Sequence, residues 1–195
     1  MIDLKKVEIN KHIINDNVFV NETDEVKVEN QIIQRGFKYV YIRFHKPKGY
    51  QSTLNLKVND NIHSFFKDFE NLAIAGRLDK DSEGLLLLSN NGEFIRNITN
   101  PDSNKEKEYL VELDQELDQN FKAKFETGIS IKNYVTKPCR CEIIGLQKIK
   151  VILTEGKNRQ IRKMCKALGY NVLRLQRVRI EEFTLGDLKE GEMEF

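Results

Sequence analysis

Apolar and polar residues follow two different periods along this chain, and each period predicts one kind of element. Alternation of apolar and polar positions, or a short run that is apolar throughout, is typical of a strand. Apolar residues that recur every three or four positions are typical of an amphipathic helix. The predicted strands are residues 7–10, 24–28, 39–44, 72–75, 84–88, 108–113, 137–144, 148–154 and 172–180. The predicted helices are residues 59–69, 91–99, 117–127 and 158–168.

The order of these elements favours the α+β class. Helices are interspersed among hairpin-like strands and do not follow every strand, which predicts a mixed, largely antiparallel sheet with flanking helices. The turn at Gln34-Arg35-Gly36 separates a small N-terminal segment from the rest of the chain. We therefore expect two domains, residues 1–36 and residues 37–195.

Composition narrows the class of protein. The chain has 195 residues, of which 39% are hydrophobic and 32% are charged, as in a soluble globular protein. No apolar run approaches the roughly 20 residues that span a membrane, and the N-terminus lacks the apolar stretch of a signal peptide. An odd number of cysteines, three, favours free thiols over a disulfide framework. These features predict a cytoplasmic protein with no membrane partner.

Charge is distributed unevenly along the chain. Residues 135–179 contain twelve Lys and Arg against two Glu, a net charge of +10, although the whole chain carries only +2. Such clustering is the electrostatic footprint of a nucleic-acid-binding protein. A basic surface that only faces solvent is the alternative, so charge alone does not settle the function.

The most unusual segment is a dense polar loop between two apolar strands. It places Asp79, Asp81 and Glu83 at the end of a predicted sheet, where functional sites tend to form. The spacing also matches the first half of a calcium-binding loop. That reading fails because the twelfth position, which needs a bidentate Glu, is Asn90. The three histidines lack metal-ligand spacing, and His45 is kept only as a possible neighbour of the site.

The predicted helix 158–168 has two faces. One is apolar and points to the core, and the adjoining face is basic. Phosphate binding and simple solvation remain equally open for the basic face when this helix is considered alone. The apolar face consists of Ile161, Met164, Cys165 and Leu168. The basic face consists of Arg159, Arg162, Lys163 and Lys166.

Four motifs, in order, resemble those of the RsuA-type ribosomal RNA pseudouridine synthases. The first is Lys46-Pro47-Lys48-Gly49-Tyr50 with Ser52-Thr53. The second, which carries the family's catalytic carboxylate, is Gly76-Arg77-Leu78-Asp79-Lys80-Asp81-Ser82-Glu83-Gly84 followed by four leucines. The third is Lys107-Glu108-Tyr109-Leu110-Val111, and the last is residues 155–164. Together they cover the chain from Tyr39 onward, and residues 155–180 are most similar to members that modify large-subunit ribosomal RNA.

The resemblance implies a role for each matching residue. Asp79 would be the nucleophile or base, Tyr109 would stack on the target uracil, and Arg162 would pair with Asp79. Arg77 would fill the gap left by the extruded base. The remaining residues expected to bind RNA are Lys46, Lys157, Arg159, Lys163 and Lys166.

The function implied by the resemblance is isomerisation of uridine to pseudouridine in structured RNA, with large-subunit ribosomal RNA as the expected substrate and transfer RNA as a possible one. A carboxylate can attack the sugar or remove a proton from it, so no cofactor or metal is expected. We expect a monomer. The alternative is a non-catalytic RNA-binding or ribosome-assembly protein. Residues 1–35 carry a net charge of −2, whereas an S4-like domain normally begins with basic helices, so we expect a truncated S4-like segment here.

Overall fold

The computed structural model describes residues 6–131 and 134–195, which form two compact units. The first unit comprises the described residues up to Tyr39. Its four short strands are β1 (Val7–Ile9), β2 (His12–Ile13), β3 (Val26–Val28) and β4 (Gln31–Gln34), which pair antiparallel in the order β2-β1-β3-β4. The interpretation of this unit as a truncated S4-like segment stays a prediction.

The second unit, from Val40 onward, is built on one large sheet. Its strands are β5 (Tyr41–Lys46), β6 (Ala73–Ala75), β7 (Glu83–Ser89), β8 (Lys107–Leu113), β11 (Arg140–Gly145), β12 (Lys148–Leu153), β13 (Val172–Ile180), β14 (Phe183–Thr184) and β15 (Met193–Glu194). They run in the order β11-β12-β8-β13-β7-β5-β15, with β6 added to β7 and β14 to β13. The short strands β9 (Ser130–Ile131) and β10 (Tyr134–Val135) pair antiparallel as a separate two-stranded sheet.

Most strand pairs of this sheet are antiparallel. Within the part of the chain that the structure describes, the parallel contact is the one between β7 and β13, where Glu83 lies opposite Gln176 and Gly84 opposite Arg177. The α+β class with a mixed, largely antiparallel sheet is therefore confirmed.

Three α-helices accompany the sheet in the described residues: α1 (Gly92–Thr99), α2 (Phe121–Glu126) and α3 (Gln160–Ala167). The side chain of Asn91 caps α1 by accepting hydrogen bonds from the amides of Glu93 and Phe94. The helix α3 has no side-chain cap, and Arg159, the residue before it, is in the left-handed conformation. None of the described helices has both the length and the apolar character needed to cross a membrane.

The sheet separates two apolar clusters because neighbouring residues of a strand face opposite sides. On β7, Leu86 and Leu88 join the large cluster that also contains residues of α2 and α3. The intervening Leu85 and Leu87 join a smaller cluster packed by α1. All seven residues of β7 are buried, so this strand forms the centre of the unit.

The helix predicted for residues 59–69 is wrong. The segment contains only a 3-10 turn, Ile62–Phe65, capped by the side chain of Asn61. Ile62 and Phe66 nevertheless reach the core and are buried. Because an irregular loop can also bury apolar residues spaced three and four apart, the spacing alone does not establish a helix.

Candidate active site

Asp79 lies in the loop between β6 and β7, and hydrogen bonds fix this loop on both sides of the residue. The hydroxyl of Ser52 accepts from the amide of Leu78 at 3.0 Å and donates to the Leu78 carbonyl at 2.8 Å. The amide of Gly49 donates to the Lys80 carbonyl at 2.7 Å. These hydrogen bonds join the first motif directly to the second. The side chain of Asp79 is 29% exposed.

Arg177 on β13 ties the start of the same loop to the sheet. The residue is buried, its Nε donates to the Leu85 carbonyl at 2.8 Å, and its NH2 group donates to the Gly76 carbonyl at 3.0 Å. Its backbone also runs very close to Gly84, where an added Cβ would lie 2.2 Å from the Arg177 carbonyl oxygen. The loop of Asp79 therefore depends on this one arginine and on the absence of a side chain at Gly84.

Asp81 is the carboxylate that receives the arginines of the last motif. NH1 and NH2 of Arg159 donate to its two oxygens, each at 2.8 Å. The Nε of Arg162 lies 3.5 Å from Asp81 Oδ2, and its NH2 donates to the Asp81 carbonyl at 2.8 Å. The hydrogen bonds from Arg159, together with the charge of Arg162, lower the pKa of Asp81.

The expected ion pair between Arg162 and Asp79 is not formed in this structure. Within residues 6–131 and 134–195, the arginine nearest to the Asp79 carboxylate is Arg159, at 3.9 Å. Arg162 is instead held by the carbonyls of Asp81 and Val172, and burial lowers its pKa. The negative charge of Asp79 partly offsets this lowering of the pKa of Arg162.

Lys46 does not have the exposed position expected of an RNA contact. Its side chain is fully buried, and its Nζ donates to the carbonyls of Pro47 and Tyr50 at 2.8 and 2.7 Å. Burial lowers the pKa of Lys46 to about 8, against the opposing effect of Asp81 and Asp79. The alternation of β5 explains the difference, because Lys46 follows Phe44 on the inner face of the sheet.

Tyr109 lies on β8, opposite Arg177 of β13 and opposite Val151 of β12. Residues directly opposite each other in an antiparallel pair face the same side of the sheet. Tyr109 is therefore on the same face as Arg177, whose guanidinium holds the loop of Asp79. Its ring is 8% exposed and joins the large apolar cluster, so only a small part of it is available to a ligand.

The basic surface is narrower than the sequence suggested. Many cations of residues 135–179 are paired with carboxylates that lie far away in the sequence or on the neighbouring strand. These pairs are Arg140–Glu106, Lys148–Glu112, Lys150–Glu142, Arg174–Glu83 and Arg179 with Glu106 and Glu108. Around α3, by contrast, Lys157 and Lys166 are exposed and Lys163 donates to the Asn158 carbonyl. Arg77, in the loop of Asp79, is also exposed.

One group of described residues could converge on a metal ion: His45, Glu83 and Glu190, whose ligand atoms lie within 4.8 Å of one another. The Nδ1 of His45 is 2.7 Å from the Leu188 carbonyl oxygen, and Glu83 accepts from Nε of Arg174 at 2.6 Å. The guanidinium of Arg174 already compensates the charge of Glu83, the one buried carboxylate of the group, which leaves less negative charge to attract a cation.

A cavity of about 500 Å³ lies on the same side of the sheet as His45. Gln176 and the segment 184–188 also line it, but no residue of the loop 76–82 does. His45 thus belongs to the surroundings of this cavity, and the sequence neighbourhood of Lys46-Pro47 does not bring it to Asp79.

Sequence reasoning missed two parts of the site. Arg177 is one of the twelve cations of residues 135–179, but its position two residues after Leu175 on a strand places it on the same, inner face. The pairing of Arg159 with Asp81 was also missed, because it joins residues that are 78 positions apart.

Comparison with known proteins gives one consistent family. Residues 40–167 match the family described as RNA pseudouridylate synthase. The chain is 35% identical to the dual-specificity RNA pseudouridine synthase RluF of Escherichia coli K12, over 95% of this chain and 68% of that protein. It is 32% identical to the ribosomal small subunit pseudouridine synthase A of Haemophilus influenzae, over 95% of this chain and 83% of that protein. A crystal structure of a pseudouridylate synthase superposes with a TM-score of 0.75 at 32% identity, over 99% of this chain and 86% of that one.

Proposed function

Because the chain belongs to the RNA pseudouridylate synthase family, in its RsuA-type branch, and is an isomerase of RNA uridines, we propose that Asp79 is its reacting carboxylate and that ribosomal RNA is its substrate. The observation that supports Asp79 most is its placement. Its carboxylate is partly exposed on a loop that hydrogen bonds fix on both sides, and an arginine nitrogen lies 3.9 Å from it.

The reaction requires four events: the C1′–N1 glycosidic bond breaks, the uracil turns, C5 of the base bonds to C1′, and the proton on C5 leaves while N1 gains one. A carboxylate can assist either by attacking the sugar carbon or by removing a proton from the sugar. The oxygens of Asp79 are suited to both, since Asp81 receives the two hydrogen bonds of Arg159. The proposed chemistry needs no metal or cofactor.

The base must leave its stack before it reaches Asp79, which costs a few kcal/mol. We propose that Arg77 enters the space left by the base and that the exposed edge of Tyr109 stacks on the uracil. Arg77 is exposed in the loop that carries Asp79, and Tyr109 faces the same side of the sheet as Arg177. Both positions fit these roles in an RNA complex.

RNA binding is proposed for four cations around α3: Lys157, Arg159 and Lys166, which are exposed, and Lys163, which is half-buried. Phosphate contacts of this kind bind without reading sequence. Lys46 is withdrawn from this group because its ammonium is buried between two carbonyls. We further propose that the protein acts as a monomer in the cytoplasm.

Large-subunit ribosomal RNA is the proposed target because residues 155–180 resemble the branch that modifies it. The relatives differ in specificity: the name of one describes a dual-specificity RNA pseudouridine synthase, and that of another refers to the small ribosomal subunit. No observation favours the non-catalytic alternative over the enzyme.

The target is tested by mapping pseudouridines at single-nucleotide resolution in ribosomal and transfer RNA from cells that lack the protein. At least one large-subunit position should lose pseudouridine and regain it when the wild-type gene is restored. Loss confined to small-subunit or transfer RNA would contradict the proposed substrate, and an unchanged map would contradict the function in the cell.

A further inference from the structure

Two carboxylates, Asp79 and Asp81, lie in the loop between β6 and β7, and the arginines of the last motif contact them very unequally. Asp81 accepts both terminal nitrogens of Arg159 at 2.8 Å, a bidentate arrangement, whereas the closest approach of Arg159 to Asp79 is 3.9 Å. Bidentate arginine–carboxylate pairs are stronger and more directional than single contacts. Asp81 is thus the preferred partner of Arg159, and Asp79 is the second-nearest carboxylate to it.

Arg162 reinforces this arrangement. Its NH2 donates to the carbonyl of Asp81 and its Nε, which is buried and has no hydrogen-bond partner in the described residues, lies 3.5 Å from Asp81 Oδ2. Both arginines are therefore directed at Asp81, although its side chain is 40% exposed and that of Asp79 only 29%.

This distribution matters for chemistry. A bidentate guanidinium engages one in-plane lone pair on each carboxylate oxygen, which makes both oxygens weaker nucleophiles and weaker bases. Asp79 needs positive charge nearby but also a free oxygen. Asp81, two residues away, meets both needs because it accepts the two hydrogen bonds of the Arg159 guanidinium and keeps that charge near Asp79.

We propose that Asp81 is a positioning residue that holds Arg159 away from Asp79 and so keeps the reacting carboxylate free. This inference rests on the proposed function of Asp79. The side chain of Arg159 is 43% exposed, and its backbone, in the left-handed conformation, is fixed at the start of α3. Without Asp81, this side chain turns to the nearest remaining carboxylate, which is Asp79.

The test is a double-mutant cycle with Asp81→Asn, Arg159→Ala and the double variant, measured at saturating RNA. Asp81→Asn lowers kcat about fivefold, equivalent to ~1 kcal/mol of ion pairing in the ground state, and does not raise KM. In the Arg159→Ala background the same change costs less than about twofold, because the competing guanidinium is gone. Asp81→Glu keeps the acceptor and restores most of kcat.

A merely structural Asp81 gives a different pattern. An equal loss of kcat in both backgrounds, or no loss in Asp81→Asn, overturns the proposal. A crystal structure of Asp81→Asn supplies a readout that does not depend on turnover: the Arg159 guanidinium should lie within hydrogen-bond distance of Asp79, and a guanidinium that stays away from Asp79 overturns it as well. Absence of turnover in the wild type would instead refute the proposed function.

Discussion

Gly84 is the position where one added methyl group should do most damage. It has a φ of +107°, and a Cβ built on it would lie 2.2, 2.6 and 3.0 Å from the carbonyl oxygen, the amide nitrogen and the carbonyl carbon of Arg177. These are backbone atoms of the neighbouring parallel strand, so no side-chain rotation relieves the contact. β7 and β13 would have to part by roughly 1 Å to restore ordinary contact distances.

Two costs add up in Gly84→Ala. The left-handed backbone costs a residue with a Cβ about 1–2 kcal/mol. Forcing a methyl group into a packed interior costs about 1–3 kcal/mol more. We expect a loss of about 2–5 kcal/mol in the free energy of unfolding. Turnover should fall too, because Arg177 bonds to the Gly76 carbonyl and a displaced β13 would carry the loop of Asp79 with it.

The matched control is Gly169→Ala. Gly169 also has a positive φ, +93°, but a Cβ there would meet nothing within 4 Å. This control isolates the conformational cost of about 1–2 kcal/mol. The chain has no Trp, so urea unfolding is followed by far-UV circular dichroism, and midpoints are compared at equal slope. Equal midpoints for the two variants would refute the argument that the approach of β13 requires glycine at position 84.

Three further predictions follow from charge and burial. Reversing Lys157 and Lys166 to Glu should weaken RNA binding and reduce the log–log salt slope by roughly 0.7–0.9 for each lost phosphate contact. Burial lowers the pKa of Lys46 to about 8, so the folded protein loses a proton that the unfolded chain keeps until about pH 10. The stability of the wild type relative to Lys46→Met should therefore rise between pH 8 and pH 10. Burial raises the pKa of the three thiols to about 11 or 12, so none should react with a disulfide reagent at pH 8 until the protein unfolds.

The first of these predictions has a control variant, and each has an outcome that would contradict it. Lys150→Glu makes the same charge change per substituted lysine, at a lysine that lies 2.6 Å from Glu142, and it should leave the salt slope unchanged. An equal effect of this variant would contradict the assignment of RNA to α3. A stability difference at Lys46 that does not change with pH would contradict its burial as a charged group. Rapid reaction of a thiol in the folded protein would contradict the packing of the cysteines.

The strands were predictable because burial leaves a direct mark on their sequence. The run of four leucines that follows Gly84 is apolar throughout because both faces of β7 are covered. In β8 the alternation Tyr109, Val111, Leu113 marks the single buried face. The 59–69 segment shows the limit of such reasoning, because its aromatic residues pack through a loop and a 3-10 turn.

The site could be predicted only in part. The polar loop between two apolar strands pointed to Asp79, and the motifs supplied its role. The sequence could not show which cations are neutralised, because the pairs of Arg174 with Glu83 and of Arg140 with Glu106 depend on strand order and register. It also could not show that Lys46 is buried, because the strand predicted at residues 39–44 ends two residues before Lys46, whereas β5 extends to it.

The central claim is that Asp79 carries the chemistry, and the most direct test is pseudouridine formation by Asp79→Asn on ribosomal RNA. The substitution keeps the size of the side chain but removes the nucleophilic, basic oxygen. In a tritium-release assay with chelator present, the wild type should be active and Asp79→Asn inactive, while both bind RNA with similar affinity. Full activity of Asp79→Asn, or wild-type activity that the chelator abolishes, would contradict the account.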